Sequence, residues 1–92
     1  MYYVYILRSL TSGRFYTGFT ADLKDRLKRH NENRERATRK RGPWELVYYE
    51  EYDTRSEAIK REYFLKSPEG GPQKKELVAD FPGEKLEEIK GL

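Results

Sequence analysis

The chain has 92 residues, a formal net charge of +3, 36% hydrophobic and 14% aromatic residues, and no cysteine. So short a chain buries only about two thirds of its unfolded surface, which suffices for one core. The lack of cysteine excludes disulfides, thiolate metal sites and zinc fingers, leaving oxygen donors or His30 for any metal. With no signal-peptide pattern and no apolar run near the ~20 residues that span a bilayer, the composition points to a cytoplasmic protein with no membrane partner.

Residues 2–9, Tyr-Tyr-Val-Tyr-Ile-Leu-Arg-Ser, are β-branched and aromatic at both parities, the pattern of a central strand covered on both faces. Thr11-Ser12-Gly13 is a turn signal, and Arg14 to Phe19 reads as a second strand, forming a hairpin. A turn centred between Thr11 and Ser12 pairs Tyr5 with Gly18 and Leu7 with Tyr16, so Tyr5 and Tyr16 share a face and the glycine leaves room for a ligand. Thr20 or Asp22 caps a helix to about Asn33, with Leu23, Leu27 and His30 in its inner stripe, Arg26 on the shoulder, and Lys28 and Arg29 toward solvent.

Residues 34–43 lack apolar periodicity and read as an exposed basic loop carrying Arg34, Arg36, Arg39, Lys40 and Arg41. Residues 22–41 hold nine Lys/Arg against four Asp/Glu, the charge footprint of a phosphate-backbone partner or of a solvated helix face. Trp44 to Tyr52 makes a third strand. Thr54-Arg55-Ser56-Glu57 matches a capping box and opens a second helix through Lys66. Gln73 to Ala79 forms a short third helix, packing through Leu77 and Val78. Residues 1–80 read as a single domain, and 81–92 as a short polar tail that is either a docked helix or a frayed one.

Glu62 falls in angle between Ala58 and Ile59 on the buried face of the second helix, with Lys66 one turn below. An ionised carboxylate there requires a cation, a metal or a buried donor. A Glu62–Lys66 pair or a bridge to Arg26 satisfies it structurally. A phosphodiester site also accounts for it: Glu62 holds Mg²⁺ with retained waters, Arg26 stabilises the pentacovalent charge, and Tyr5 or Tyr16 positions or deprotonates water. The ordinary tyrosine pKa near 10 opposes deprotonation unless Arg26, Lys66 or the metal lowers it. His30 serves as a packed imidazole or as a second proton-transfer group.

In their order and spacing these residues resemble the GIY-YIG endonuclease superfamily, and in particular its small single-domain bacterial members related to the N-terminal nuclease domain of the excinuclease. Tyr3-Val4-Tyr5 stands where the family has Gly-Ile-Tyr, and Tyr16-Thr17-Gly18 where it has Tyr-Ile-Gly. Arg26, His30, the entry Pro43-Trp44-Glu45-Leu46, and Glu62 within Ala-Ile-Lys-Arg-Glu-Tyr-Phe-Leu-Lys complete the likeness. The resemblance implies an α+β fold, a three-stranded antiparallel sheet flanked by helices in the order β-β-α-β-α-α. It implies Tyr5, Tyr16, Arg26, His30, Glu62 and Lys66 as catalytic residues, with Glu62 binding one divalent ion, Mg²⁺ or Mn²⁺.

The first motif departs from the family at Tyr3, a bulky residue in place of glycine, and the second at Thr17, in place of isoleucine. The leading expectation is a metal-dependent DNA endonuclease in repair or recombination, structure-selective rather than sequence-specific. It acts as a monomer or weak homodimer on single-stranded, branched or damaged DNA. Its phosphate contacts come from Arg34, Arg36, Arg39, Lys40 and Arg41, which give affinity without sequence choice. The alternatives are a non-catalytic nucleic-acid-binding module that retains the nuclease fold and, third, an accessory protein with exposed aromatics.

Overall fold

The computed structural model describes residues 1–89. Its strands are β1 (Tyr2–Ser9), β2 (Phe15–Thr20) and β3 (Trp44–Tyr52), joined antiparallel in the order β2-β1-β3. Helices α1 (Leu23–Asn31), α2 (Arg55–Lys66), α3 (Lys74–Asp80) and α4 (Gly83–Ile89) flank them, with a 3₁₀ turn at Gly71–Gln73 ahead of α3. The expected α+β class and strand order therefore hold, and the apolar residues of β1 at both parities are explained: β1 is central and covered on both faces.

The hairpin register pairs Tyr5 with Gly18 and Leu7 with Tyr16, as the turn length predicts. One face of β1, Tyr3, Tyr5 and Leu7, packs with Leu23 and Leu27 of α1, Trp44, Leu46 and Tyr49 of β3, and Phe81, Leu86 and Ile89. Leu86 and Ile89 of α4 pack against this cluster, and residues 90–92 of the tail lie outside the described residues. The opposite face, Val4 and Ile6, packs against Ala58 and Leu65 of α2 and against Leu77 and Val78 of α3.

A bulge in β3 decides which residues reach the first face. Ile6 pairs with Tyr48 but Leu7 pairs with Leu46, so Val47 is the extra residue. Val47 and Tyr48 both join Ile6, and beyond the bulge Leu46 and Trp44 fall beside Tyr5 and Leu7. Regular alternation counted back from Tyr49 would have sent both to the other side.

Local caps fix the helix starts. Asp22 caps α1 by accepting from the Asp25 N–H at 3.0 Å, and Thr54 caps α2 by accepting from the Glu57 N–H at 3.2 Å while its hydroxyl donates to the Glu57 carboxylate at 2.9 Å. The first helix stops at Asn31, short of the expected Asn33, because Asn33 adopts a left-handed φ of 60°. Its side chain then accepts from the Lys40 N–H at 2.9 Å and folds the basic segment back on the helix.

Candidate active site at the edge of the sheet

Tyr5 lies across Gly18, its partner on β2. A Cβ on Gly18 would stand 2.6 Å from the Tyr5 hydroxyl oxygen and 2.8 Å from Cζ. The space expected to admit a ligand is therefore filled by Tyr5 itself. There the phenol, 2% exposed, meets Nε2 of His30 at 2.9 Å, and Nδ1 of His30 meets the Thr38 hydroxyl at 2.6 Å. Thr38 is fully buried, and its carbonyl accepts from the Trp44 indole N–H at 3.2 Å. A threonine in the middle of the basic segment thus anchors that segment to the core, and the loop is exposed only through the side chains around it.

Burial lowers the His30 pKa to about 4, against a smaller opposing pull from Glu35, so the ring is neutral at neutral pH. A neutral imidazole has one N–H, so it donates to one of its two hydroxyl neighbours and accepts from the other. Burial also raises the Tyr5 pKa far above the ordinary phenol value, with Tyr16 adding to the rise and Arg26 pulling it back. Tyr5 therefore keeps its proton. Without a closer cation this environment opposes deprotonation of Tyr5.

Arg26 is partly exposed beside this pair, with its Nε 3.7 Å from Glu35. Arg29 does not point to solvent as expected: its Nε donates to Glu35 at 2.8 Å. Glu35 gathers both guanidiniums because the turn after α1 brings it back alongside the helix.

Glu62 comes from α2, on the opposite face, and is 9% exposed. It accepts from Lys66 at 3.3 Å, one turn on, which is the expected pair; its partner is not Arg26. The Lys66 ammonium in turn sits 5.4 Å from the centroid of Tyr16, and the Tyr16 ring lies 5.2 Å from that of His30. A line of contacts runs from Glu62 through Lys66, Tyr16 and His30 to Tyr5, passing around the edge strand β2, with Arg26 nearby and paired with Glu35.

Residues 1–76 match the family model for the GIY-YIG catalytic domain. The chain belongs to the GIY-YIG family. It is 42% identical over 67 residues to the UPF0213 protein SSP2268 of Staphylococcus saprophyticus, covering 72% of this chain and 80% of that one. The UPF0213 protein SAV0488 of Staphylococcus aureus matches with the same identity and coverage. Among solved structures, the solution NMR structure of the UPF0213 protein BH0048 from Bacillus halodurans is similar, with a TM-score of 0.53 and 35% identity over 99% of this chain and 97% of that one. Membership suggests a nuclease, and a nuclease domain implies a nucleic-acid substrate.

Both departures from the GIY-YIG motifs are packed against neighbours in the fold. Tyr3 packs its ring edge to face on Tyr49, centroids 6.0 Å apart, and so spends its bulk against β3. Thr17 is buried on the α2 side, where its hydroxyl accepts from Lys74 at 3.1 Å. Lys74 was not legible as a site residue. Burial lowers its pKa, and nearby Lys66 adds to that.

Among the described residues no three of His, Cys, Asp and Glu converge. A carboxylate that could hold a metal here is the nearly buried Glu62. That fits a hard ion such as Mg²⁺, which keeps several waters and needs only one or two carboxylates, and does not fit a multiligand calcium or zinc site.

In the basic segment Arg34 pairs with Glu32 at 3.2 Å. Arg36, Arg39, Lys40 and Arg41 are exposed and, among the described residues, make no ion pair. No helix among the described residues is long and apolar enough to cross a membrane.

Proposed function

We propose that the chain is a metal-dependent DNA endonuclease whose reacting phosphate sits at the β2 edge, between Glu62 and Tyr5. The observation that carries this reading is the unbroken line of contacts joining Glu62, Lys66, Tyr16, His30 and Tyr5 across two faces of the sheet. A structural ion pair would explain Glu62 and Lys66 alone; it would not explain why the pair ends on Tyr16 beside a buried hydroxyl–imidazole–hydroxyl row.

Glu62 would hold the divalent ion, Mg²⁺ or Mn²⁺, and the ion would supply charge neutralisation at the phosphate oxygens and a more acidic bound water. Tyr5, kept protonated and fixed by His30, orients the attacking water. Arg26, loosely held by Glu35, turns toward the phosphate and stabilises the charge that builds there. Lys66 and Lys74 hold the strand beside Tyr16. Thr38 is a positioning residue: its hydroxyl bonds Nδ1 of His30 and holds the ring with Nε2 toward Tyr5.

Arg34, Arg36, Arg39, Lys40 and Arg41 contact backbone phosphates, which favours structure over sequence. Single-stranded, branched or damaged DNA is the substrate class, with repair or recombination in the cytoplasm as the setting and a monomer or weak homodimer as the working form.

The test is cleavage of labelled single-stranded, duplex and branched DNA with Mg²⁺ or Mn²⁺, against chelator and Glu62→Gln controls. Metal-dependent cutting lost in both controls is the expected result. Glu62→Gln protein that cuts at the wild-type rate overturns the assignment of the metal to Glu62. Salt-sensitive binding with no cutting under any condition overturns the nuclease reading in favour of the non-catalytic module.

A further inference from the structure

Next to Tyr16, the hairpin turn and the basic segment enclose a cleft of about 500 Å³ whose lining includes Arg14, Phe15, Tyr16, Ala37, Arg41 and Trp44. Its volume lies within the ~300–1,000 Å³ usual for small-molecule sites. Three other clefts, around Phe81 and Pro82 and beside Leu23, each contain at least two carboxylates. None of the residues lining this one is acidic. Both its arginines are exposed and, among the described residues, make no ion pair.

The walls are fixed to each other. Ser9, 1% exposed, donates through its hydroxyl to the Arg41 carbonyl at 2.8 Å, the Leu10 N–H donates to the Pro43 carbonyl at 2.8 Å, and the Arg41 N–H donates to the Thr38 carbonyl at 3.1 Å. Tyr16 and Trp44 meet edge to face, centroids 6.3 Å apart, and form the aromatic floor. This hairpin-to-loop bonding means the cleft exists before any ligand arrives.

Resting on the nuclease reading, we infer that the cleft receives one unstacked nucleobase of the DNA strand being cut, a nucleotide away from the phosphate beside Tyr16. Aromatic groups that accept any base on their faces or edges, flanked by unpaired arginines for the neighbouring phosphates, are the requirements for single-strand binding without sequence choice. A paired, stacked base cannot enter, so the cleft selects strands that are single, frayed or flipped. Tyr16 belongs to both the cleft and the contact line from Glu62, and this shared residue sets the distance between bound base and broken bond.

The test is binding in chelator, where no cleavage occurs, followed through the fluorescence of Trp44, the chain's single tryptophan. Hexathymidylate is compared with a hexamer of abasic tetrahydrofuran units carrying the same phosphates. The expected result is about tenfold tighter binding of the base-bearing strand, a change in Trp44 emission with that strand alone, and loss of the difference in Ala37→Leu, which fills the cleft. Equal affinities in the wild-type protein overturn the inference, as does a difference that survives Ala37→Leu. The wild-type comparison decides even where Ala37→Leu fails to fold. A base preference in a protein that never cuts keeps the cleft and removes the nuclease; cutting without a base preference does the reverse.

Discussion

The two faces of the sheet carry polar clusters of almost the same ingredients. On the α1 face are two tyrosines, a histidine, a threonine and Arg26. On the α2 face Glu50 accepts two hydrogen bonds from Arg61 at 2.9 Å each, one from Tyr52 at 2.6 Å and one from Tyr48. Burial alone would raise the Glu50 pKa; the bonds from Arg61 and the two tyrosines outweigh it and hold the carboxyl below its usual range. In turn burial and Glu50 push the Tyr52 pKa up to about 12. Every hydrogen-bonding direction of Glu50 is used, so nothing is left to bind a substrate. Among the described residues Glu62 accepts one hydrogen bond, from Lys66 at 3.3 Å, and Arg26 pairs loosely with Glu35 at 3.7 Å. What separates a site from a brace is unused bonding capacity at a place a strand can reach, and residue types alone do not reveal it.

The widest separation between the clusters is expected from the two charge-to-amide exchanges. Glu62→Gln should lower the cleavage rate about 10³-fold with thermal stability near wild type. Glu50→Gln should instead leave the rate per folded molecule unchanged. Activity lost equally in both, after correction for the folded fraction, would erase the difference between site and brace.

Acid should open the two faces in sequence. His30 has a folded pKa near 4, below its ordinary value of 6.5, so the unfolded chain binds more protons between those limits. Stability should therefore fall by about 3 kcal/mol as pH drops from 6.5 to 4 and be flat with respect to His30 above 6.5. The contribution of Glu50, whose folded pKa is depressed, is complete above 4.5 and declines only below it. Denaturant melts across pH would show both limbs; in His30→Gln the upper limb should vanish and the lower one stay.

A smaller effect is expected from the brace itself. Glu50→Gln should cost about 2 kcal/mol, measured as a shift in denaturation midpoint, because Arg61 loses a charge-assisted partner at a half-buried position. Smaller again, Thr38→Val should cost on the order of 1 kcal/mol by orphaning His30 Nδ1, and should lower kcat more than it changes KM, with Thr38→Ser restoring both. A uniform loss in kcat and KM for Thr38→Val, unrescued by serine, would reduce Thr38 to a packing residue.

Much of this arrangement was legible in the chain. A turn centred between Thr11 and Ser12 sets the hairpin register and with it the shared face of Tyr5 and Tyr16, and helical periodicity exposed Glu62 as a carboxylate among apolar neighbours. The site features that escaped depend on backbone events without a periodic trace. The bulge at Val47 switches Trp44 and Leu46 to the site face, the left-handed Asn33 folds the basic segment back, and together they bring Thr38 to His30 from eight residues away. Nor does spacing along α1 reveal that Glu35, beyond its end, collects Arg26 and Arg29.

Gly18 has an ordinary strand conformation, so the backbone does not demand glycine there; the missing side chain is required by a residue on the neighbouring strand. Any Cβ at this position would meet the Tyr5 phenol below van der Waals distance. The constraint runs one way: a side chain at position 18 must displace the Tyr5 phenol from its place beside His30, whereas a smaller residue at position 5 would leave position 18 free to carry one.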